Sequence, residues 1–380
     1  MATTIKLTDI PTTPVERWNA NIDAIRILRE LERENRPATE SEQQTLALYA
    51  GFGDSAFNDA FKTYSEADQR WMNDDRRRWM HRGNELRELV SDEEYDTIFD
   101  SRINAFYTNP DIVRSMWRGL GEIGAGQLDR PVVLEPSAGS GRFLGLQPES
   151  LAERSRRIAV EKDQMTGKIL RAAYPDTEVH ITGFEEAPIA DNSVDIAVSN
   201  VPFGNVPVFD PEYQDTGRGH LTRAIHNYFF SKSLDKLKPG GVLAYVTSHH
   251  SMDALNSAYR ADWADRADLL GAVRLPNGAF PDTNVLTDII YLRKRKPGEQ
   301  PLNMDWVETV EIRDLPFDWS AGNLTKKAGD DRQNINRYFN ENLDQVLGRF
   351  VVGRSLHSDS DLKVQGDHCL LYTSPSPRDS

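Results

Sequence analysis

The residues best suited to chemistry lie where short apolar runs end in turns. The run Val132-Val-Leu134 opens into Glu135-Pro-Ser-Ala-Gly-Ser-Gly141, a turn of small residues whose glycines would let backbone N–H groups approach a ligand. Glu161 ends the next run, at the spacing where an acid accepts hydrogen bonds from ribose hydroxyls; a plain surface acid is the alternative. Leu144 occupies the third glycine position of the dinucleotide fingerprint, which disfavours NAD.

A second apolar run, Asp195 to Ser199, ends in Asn200-Val-Pro-Phe203 and Gly204. An Asn side-chain oxygen and the next backbone carbonyl can both accept hydrogens from an exocyclic amine. Phe203 offers a stacking face for a base taken out of its stack. Alone, the tetrapeptide could be an ordinary turn after a strand; combined with the glycine turn, it indicates amine methylation.

The elements that must position these turns alternate between β-branched runs and helical stretches from residue 130 onward. This alternation predicts an α/β fold with a doubly wound, mostly parallel sheet, and ligands bound at the carboxyl ends of its strands. A helix is predicted over Ile112–Leu120 and another over Ala224–Lys238, ending at Pro239-Gly-Gly241. The predicted strands are Val132–Leu134, Arg157–Val160, Glu178–Thr182, Val194–Ser199, Val242–Thr247, Leu269–Arg274 and Thr287–Arg293.

Residues 1–100 form a separate compositional zone, with 13 Lys and Arg against 21 Asp and Glu. Apolar residues at three- and four-residue spacing over Trp18–Glu34 and Glu42–Ala50, and a capping box at Ser91, predict a helical N-terminal region. Arg76-Arg-Arg78 could meet a phosphate backbone, but it directly follows Asp74-Asp75. The favoured interpretation is a solvent-exposed helix face whose basic and acidic side chains pair with each other.

Composition limits the class of protein further. The formal net charge of −14 argues against a generally basic coat for nucleic acid, so any such contact must be local. No run of apolar residues is long enough to span a membrane and no signal peptide is recognisable, which predicts a cytoplasmic protein. The one Cys excludes a disulfide framework and a Cys-based zinc site.

The two turns, with Ala105-Phe-Tyr-Thr-Asn-Pro110, resemble the motifs of S-adenosylmethionine-dependent N6-adenine DNA methyltransferases. The resemblance implies a Rossmann-like seven-stranded sheet, with the last two strands as an antiparallel edge, and S-adenosyl-L-methionine as cofactor. It implies methyl transfer to DNA adenine by Asn200, Val201, Pro202 and Phe203. The implied cofactor-binding residues are Phe106, Tyr107, Thr108, Glu135, Pro136, Ser137, Ala138, Gly139, Gly141, Glu161, Phe184 and Glu185.

Further segments resemble the large methylase-helicase proteins of plasmids, phages and other mobile elements, among them Tyr49-Ala-Gly-Phe-Gly53 and Ile335-Asn-Arg-Tyr-Phe339. The implied partners are DNA and a downstream helicase region of the same polypeptide. Val201 replaces the first proline of the commoner Asn-Pro-Pro-Phe motif, as it does in this subgroup. His249-His250 stands where Arg-Gly is more usual; because consecutive residues at a strand end point in opposite directions, no metal site is expected.

Two other functions stay open. One is a non-catalytic module that holds cofactor or DNA for an antirestriction or helicase assembly, which the Val201 departure and the acidic surface favour. The other is methylation of a protein glutamine amide, because a pocket of this type also accepts a side-chain amide. If the chain is a DNA methyltransferase, the net charge of −14 and the short basic run Arg293-Lys-Arg-Lys296 predict weak DNA binding with little sequence preference and strong sensitivity to salt.

The predicted organisation has four parts. Residues 1–100 form the helical region, 101–296 the methyltransferase domain, and 297–368 a linker or the start of a truncated downstream region. Residues 369–380, Cys369 to Ser380, contain the translation of a common transposase sequencing adapter, and we expect an assembly artefact there. The alternative is a genuine Ser- and Pro-rich tail.

Overall fold

The computed structural model describes residues 10–102, 108–280, 285–318, 332–353 and 360–366, without the side chains of 66 and 67. Phe106 and Tyr107, two of the predicted cofactor residues, lie outside these ranges, as do residues 369–380. No helix within the described ranges is both long enough and apolar enough to cross a membrane.

A seven-stranded sheet with the order β3-β2-β1-β4-β5-β7-β6 organises the fold. The pairs β2–β3, β1–β4 and β4–β5 are parallel, and β7 runs antiparallel to both of its neighbours. The predicted mostly parallel α/β sheet, with the last two strands paired antiparallel at one edge, is confirmed. The strands are β1 (Val132–Glu135), β2 (Arg156–Glu161), β3 (Thr177–Ile181), β4 (Val194–Asn200), β5 (Leu237–Ser248), β6 (Ala267–Arg274) and β7 (Thr287–Lys294).

All seven predicted strands are present, but β5 begins earlier than the sequence indicates. Pro239-Gly-Gly241 was predicted to end a helix, whereas it lies inside β5, and the helix stops at Lys236. Gly240 has φ +84°, and the β4–β5 register shifts between Val194 and Ile196. The glycines therefore accommodate an irregularity within the strand, a common role for glycine in sheets.

Fourteen α-helices lie in the described part of the chain, five of them before residue 102. The predicted helical N-terminal region is therefore confirmed, and the capping box at Ser91 is present. The helices are α1 (Pro14–Glu34), α2 (Glu40–Ala47), α3 (Glu66–Arg70), α4 (Asp74–Leu89), α5 (Asp92–Ser101), α6 (Pro110–Glu122), α7 (Arg142–Gly145), α8 (Glu149–Ala152), α9 (Gln164–Ala173), α10 (Pro211–Asp215), α11 (Ile225–Lys236), α12 (His250–Asp253), α13 (Ala258–Arg266) and α14 (Arg337–Glu341).

The first of two compact units comprises residues 1–110, 137–153 and 157–184. Its N-terminal helices α1, α2 and α5 pack against α9. The fully buried Trp18 lies at the centre of an aromatic core, and Phe57 and Trp79 pack edge-on against it at ring separations of 5.2 and 5.6 Å. The chain leaves this unit between Pro110 and Asp111, near the boundary that composition indicates, and returns to it at Ser137, so the unit also includes the glycine turn and α9.

The second unit comprises residues 111–136, 154–156 and 185–380. Its core contains a buried ion-pair cluster formed by residues of β6, β7 and α12. Arg274 is bidentate to Asp288 at 2.8 and 2.9 Å and contacts Asp253 at 2.8 Å. These three charges are buried together, so the free-energy cost of burying each one is offset by its ion pairs with the others.

Residues after 296 form two small antiparallel pairs, β8 (Thr309–Ile312) with β9 (Gln333–Asn336) and β10 (Arg349–Gly353) with β11 (Asp361–Gln365). The Asn336 side chain donates to the carbonyls of Met252 and Trp306 at 2.8 and 2.7 Å. The described residues here pack within the second unit, whereas the sequence predicts a linker or the start of a truncated downstream region. Sequence reasoning missed them because each strand is short and is stabilised by residues distant in the chain.

Candidate functional site

The glycine turn follows β1, and the chain passes from the second unit to the first between Pro136 and Ser137. Gly139 and Gly141 both have positive φ, +52° and +75°, which glycine adopts without steric cost. Ala138 N–H donates to the Val160 carbonyl at 2.9 Å, and Gly141 N–H donates to Ala138 O at 2.8 Å. These bonds fix the turn beside the end of β2.

Glu161 joins the glycine turn to the start of α9. One carboxylate oxygen accepts from Gly139 N–H and the other from Asp163 N–H, each at 2.7 Å. The sequence predicts that the Gly139 and Gly141 N–H groups face a ligand, whereas both donate within the protein.

Burial raises the pKa of Glu161 to about 7, and the nearby Asp163 carboxylate adds to the effect. Hydrogen bonds from the backbone of Asp163 and Gly139 act in the opposite direction without cancelling it. A carboxyl with a raised pKa beside a turn is a candidate functional group. Near neutral pH it exists in both protonation states.

The two glycines of the turn differ in what surrounds them. A Cβ on Gly141 would lie 2.5 Å from a Leu170 methyl and 2.8 Å from the Tyr174 ring, so this glycine is required by packing against α9. A Cβ on Gly139 would meet nothing within 4 Å. The open space at Gly139 is where a ligand could approach the backbone closely.

Tyr49 is a residue near this turn that sequence reasoning assigned no role. Its side chain is 1% exposed, and its hydroxyl is hydrogen-bonded to Thr166 close to Asp163 and Glu161. Burial, with these carboxylates, raises the pKa of Tyr49, so its hydroxyl remains neutral. The Asn21 side chain donates to Gly51 O and accepts from Ala50 N–H, which holds the segment after Tyr49 in place. The only feature of the sequence that could have identified Tyr49 is the Tyr49–Gly53 motif.

The second turn lies in the second unit, at the end of β4. Asn200 pairs in register with Val246 of β5, and Val201 N–H extends this pairing by donating to Val246 O at 3.2 Å. Asn200 is half-buried with its Oδ1 shielded from solvent, and the Val201 side chain is buried. Pro202 and Phe203 are half-exposed at the lip of the turn. Sheet pairing therefore fixes the backbone of the motif.

His226 supports this turn and was also missed from sequence. Its Nδ1 lies 3.1 Å from the Gly204 carbonyl, and burial, with smaller contributions from His250 and His249, lowers its pKa to about 4. The neutral ring therefore donates its Nδ1–H to that carbonyl at neutral pH. A lone His within a predicted helix carries no signal that could have identified this contact.

His249 and His250 were expected to point in opposite directions, which is wrong. Their ring centroids are 4.1 Å apart, because His249 has helical φ and ψ at the start of α12 instead of extended ones. The His249 Nδ1 lies 3.0 Å from an Asp253 carboxylate oxygen. Within the described ranges no group of three or more His, Cys, Asp or Glu side chains is arranged to hold a metal ion.

The predicted cofactor residues divide between the two units. Thr108, Ser137, Ala138, Gly139, Gly141, Glu161 and Phe184 belong to the first, and Glu135, Pro136 and Glu185 belong to the second with the Asn200 turn. Glu135 is 1% exposed, and Thr108 and Phe184 are buried, whereas Glu185 is half-exposed. The structure brings Gly139 and Glu161 into direct contact.

Comparison with known proteins gives one sequence relative and several loose structural likenesses. No family model matches the chain. It is 29% identical over 226 residues to "Defense against restriction protein B" of Escherichia phage P1, across 57% of this chain but only 9% of that protein's length.

Two solved structures illustrate the structural likeness. A proposed class I S-adenosylmethionine-dependent methyltransferase of Listeria monocytogenes is 15% identical with a TM-score of 0.41, covering 74% of this chain and 90% of that one. A type I restriction-modification methyltransferase subunit of Streptococcus thermophilus is 16% identical with a TM-score of 0.44, covering 88% and 74%. These TM-scores are low, so the assignment of the fold rests on the observed strand order.

Proposed function

We propose that this chain transfers a methyl group from S-adenosylmethionine to the N6 amine of adenine in DNA. The observation that carries the proposal is Glu161, which ends β2 and is bonded directly to the glycine turn after β1. An acid in this place in a doubly wound sheet is suited to accept hydrogen bonds from a ribose.

The residues of the first unit fit such a cofactor. The open space beside Gly139 admits a ligand against the backbone, and Glu161 offers two carboxylate oxygens with lone pairs remaining. The buried, neutral Tyr49 lies near the same carboxylates. When bound, the cofactor supplies a methyl group activated on a sulfonium sulfur.

The turn of the second unit would hold the amine. The Asn200 side-chain oxygen and the Val201 carbonyl would each accept one amine hydrogen, which favours the tetrahedral nitrogen and directs its lone pair. Phe203, half-exposed at the lip, would stack on the flipped base. Val201 replaces the first proline of the commoner motif. The hydrogen bond from Val201 N–H to β5 would keep the geometry of the turn without that proline.

We also propose that the chain is the methylase part of a larger methylase-helicase protein of a mobile element. The support is the match to the phage P1 protein, which covers only 9% of that protein's length. DNA and a helicase region of the same polypeptide are the partners that this assignment implies.

Two measurements, made one after the other, test the proposal. Calorimetry with S-adenosylmethionine tests the cofactor, and lack of binding by the folded chain would contradict it. A radiolabelled methyl-transfer assay then offers adenine-containing DNA and protein in parallel. Label in DNA is expected, label in protein would favour the glutamine amide, and binding without transfer would favour a non-catalytic module.

A pair of variants separates the roles of the two turns. Asn200→Ala is expected to abolish turnover with little change in cofactor affinity, because Asn200 contacts only the amine. Gly139→Val is expected to weaken cofactor binding by filling the open space beside the backbone. An equal loss of cofactor affinity in both variants would show that the separation of roles is wrong.

A further inference from the structure

Trp71 is the most exposed of the large hydrophobic side chains in the described part of the chain, at 91%. It lies in the first unit between two helices with side-chain caps, Ser65 at the start of α3 and Asn73 at the start of α4. Its own N–H donates to the Asp68 carbonyl, and the adjacent Met72 is buried. The backbone at Trp71 is fixed by these contacts, whereas the indole itself lies in solvent, where it contributes little to the fold and can be reached by a partner.

Arginines lie on both sides of this indole in the sequence, in a chain whose net charge is −14. Residues 65–82 contain five arginines and four acidic residues. No described carboxylate lies within ion-pair distance of Arg70, Arg77 or Arg82. We call Trp71 with Arg70, Arg77, Arg78 and Arg82 the Trp71 patch.

The ion pairs that do form at this helix are weak. Arg76 lies 3.4 Å from Asp59, and Arg78 lies 3.8 Å from Asp75, with the two arginines 57% and 68% exposed. Pairs at these distances on the surface contribute little free energy. The self-paired face expected from the sequence is therefore only partly formed. Arg77 donates to the Met72 carbonyl at 3.4 Å and the Arg82 guanidinium lies 5.1 Å from the centroid of the Trp79 ring, whereas Arg70 and Arg78 are exposed.

We propose that the Trp71 patch binds single-stranded DNA. Arginines at one-turn spacing, Arg78 and Arg82, suit contacts to successive phosphates. An exposed indole suits stacking on a base that has lost its neighbours. In a continuous duplex the base faces are covered by neighbouring bases. A duplex therefore offers phosphates to the arginines but no base face to the indole. We choose DNA over RNA because of the proposed function. The argument from stacking and charge is independent of that function.

The test is fluorescence anisotropy of a short labelled single strand of mixed sequence with the full chain, from about 50 to about 200 mM salt. Trp71→Ala is expected to bind at least about fivefold more weakly, the lower end of the cost of a lost base stack. Trp71→Phe keeps a stacking ring and should retain more affinity than Trp71→Ala. Thermal unfolding checks that these surface changes leave the fold intact.

The charge contribution is tested with a matched pair of double variants. Arg77→Gln with Arg78→Gln should reduce the slope of log affinity against log salt by about 1.4, or about 0.7 for each lost phosphate contact. Arg26→Gln with Arg33→Gln makes the same change of charge on α1 and should leave the slope unchanged.

Several results would overturn the proposal. These are wild-type binding too weak to detect, equal binding by Trp71→Ala, or an equal slope change in both double variants. Tighter binding of duplex DNA, of RNA or of a polyglutamate peptide, with the same dependence on Trp71, would assign the patch to that partner instead. Calorimetry with S-adenosylmethionine is expected to be unaffected by Trp71→Ala. Failure of the wild-type chain to bind the cofactor would remove the proposed function and leave the patch standing.

Discussion

Glu161→Gln should stabilise the protein at alkaline pH while weakening its binding of S-adenosylmethionine. The substitution keeps the shape of the side chain but removes a charge that burial disfavours. It also removes an acceptor, because an amide has one oxygen for the N–H groups of Gly139 and Asp163, whereas the carboxylate has two.

The magnitude follows from the pKa of Glu161, raised from 4.5 to about 7. Between these values the native state holds a proton that the unfolded chain has released, so the free energy of unfolding falls as pH rises. The total loss from this residue is about 3 kcal/mol. Loss of one hydrogen bond offsets about 1 kcal/mol of the gain. Glu161→Gln should therefore be about 2 kcal/mol more stable than wild type near pH 8, and nearly equal to it near pH 5.

Urea unfolding of both proteins at several values from about pH 5 to about pH 8 measures this difference directly. Glu88→Gln, on an exposed part of α4, controls for the change in net charge. Calorimetry near pH 8 should show weaker cofactor binding by Glu161→Gln. Parallel pH profiles for wild type and Glu161→Gln would refute the inference that this carboxyl is held protonated by burial.

Three further predictions use thermal or urea unfolding. Gly141→Ala should cost about 2 to 3 kcal/mol because its Cβ enters the side chains packed from α9, whereas Gly139→Ala should cost only about 1 kcal/mol of backbone strain; equal costs would contradict this. Arg274→Met leaves two buried carboxylates without their partner and should cost about 3 to 5 kcal/mol, against less than about 1 for the exposed Arg313→Met. Because burial lowers the pKa of His226 to about 4, wild type should lose up to about 3 kcal/mol as pH falls from 6.5 to 4, and His226→Asn should lose less.

The sheet could be predicted from sequence because its strands are short apolar runs between turns. β4 and the second half of β5 are buried almost throughout, and such strands read as continuous hydrophobic runs. Glu161 and Asn200 could be located because each is a polar residue that ends such a run. Local pattern is sufficient for these features.

The parts that sequence did not reveal depend on contacts between distant residues. Tyr49 reaches Thr166, and His226 reaches the Gly204 carbonyl, across long intervals of chain. The side-by-side rings of His249 and His250 depend on a change of backbone conformation at the end of β5, which no periodicity marks. The roles of these side chains are set by tertiary packing.

The position of β7 between β5 and β6 determines when the sheet can close during synthesis. β6 leaves the ribosome before β7, yet its only neighbour in the described sheet is β7. Until Thr287–Lys294 has been translated, β5 and β6 each present an open row of backbone donors and acceptors, the kind of edge on which nascent chains aggregate. One eight-residue segment then pairs with both strands at once, so a chain released just before this segment is translated carries two unpaired strand edges.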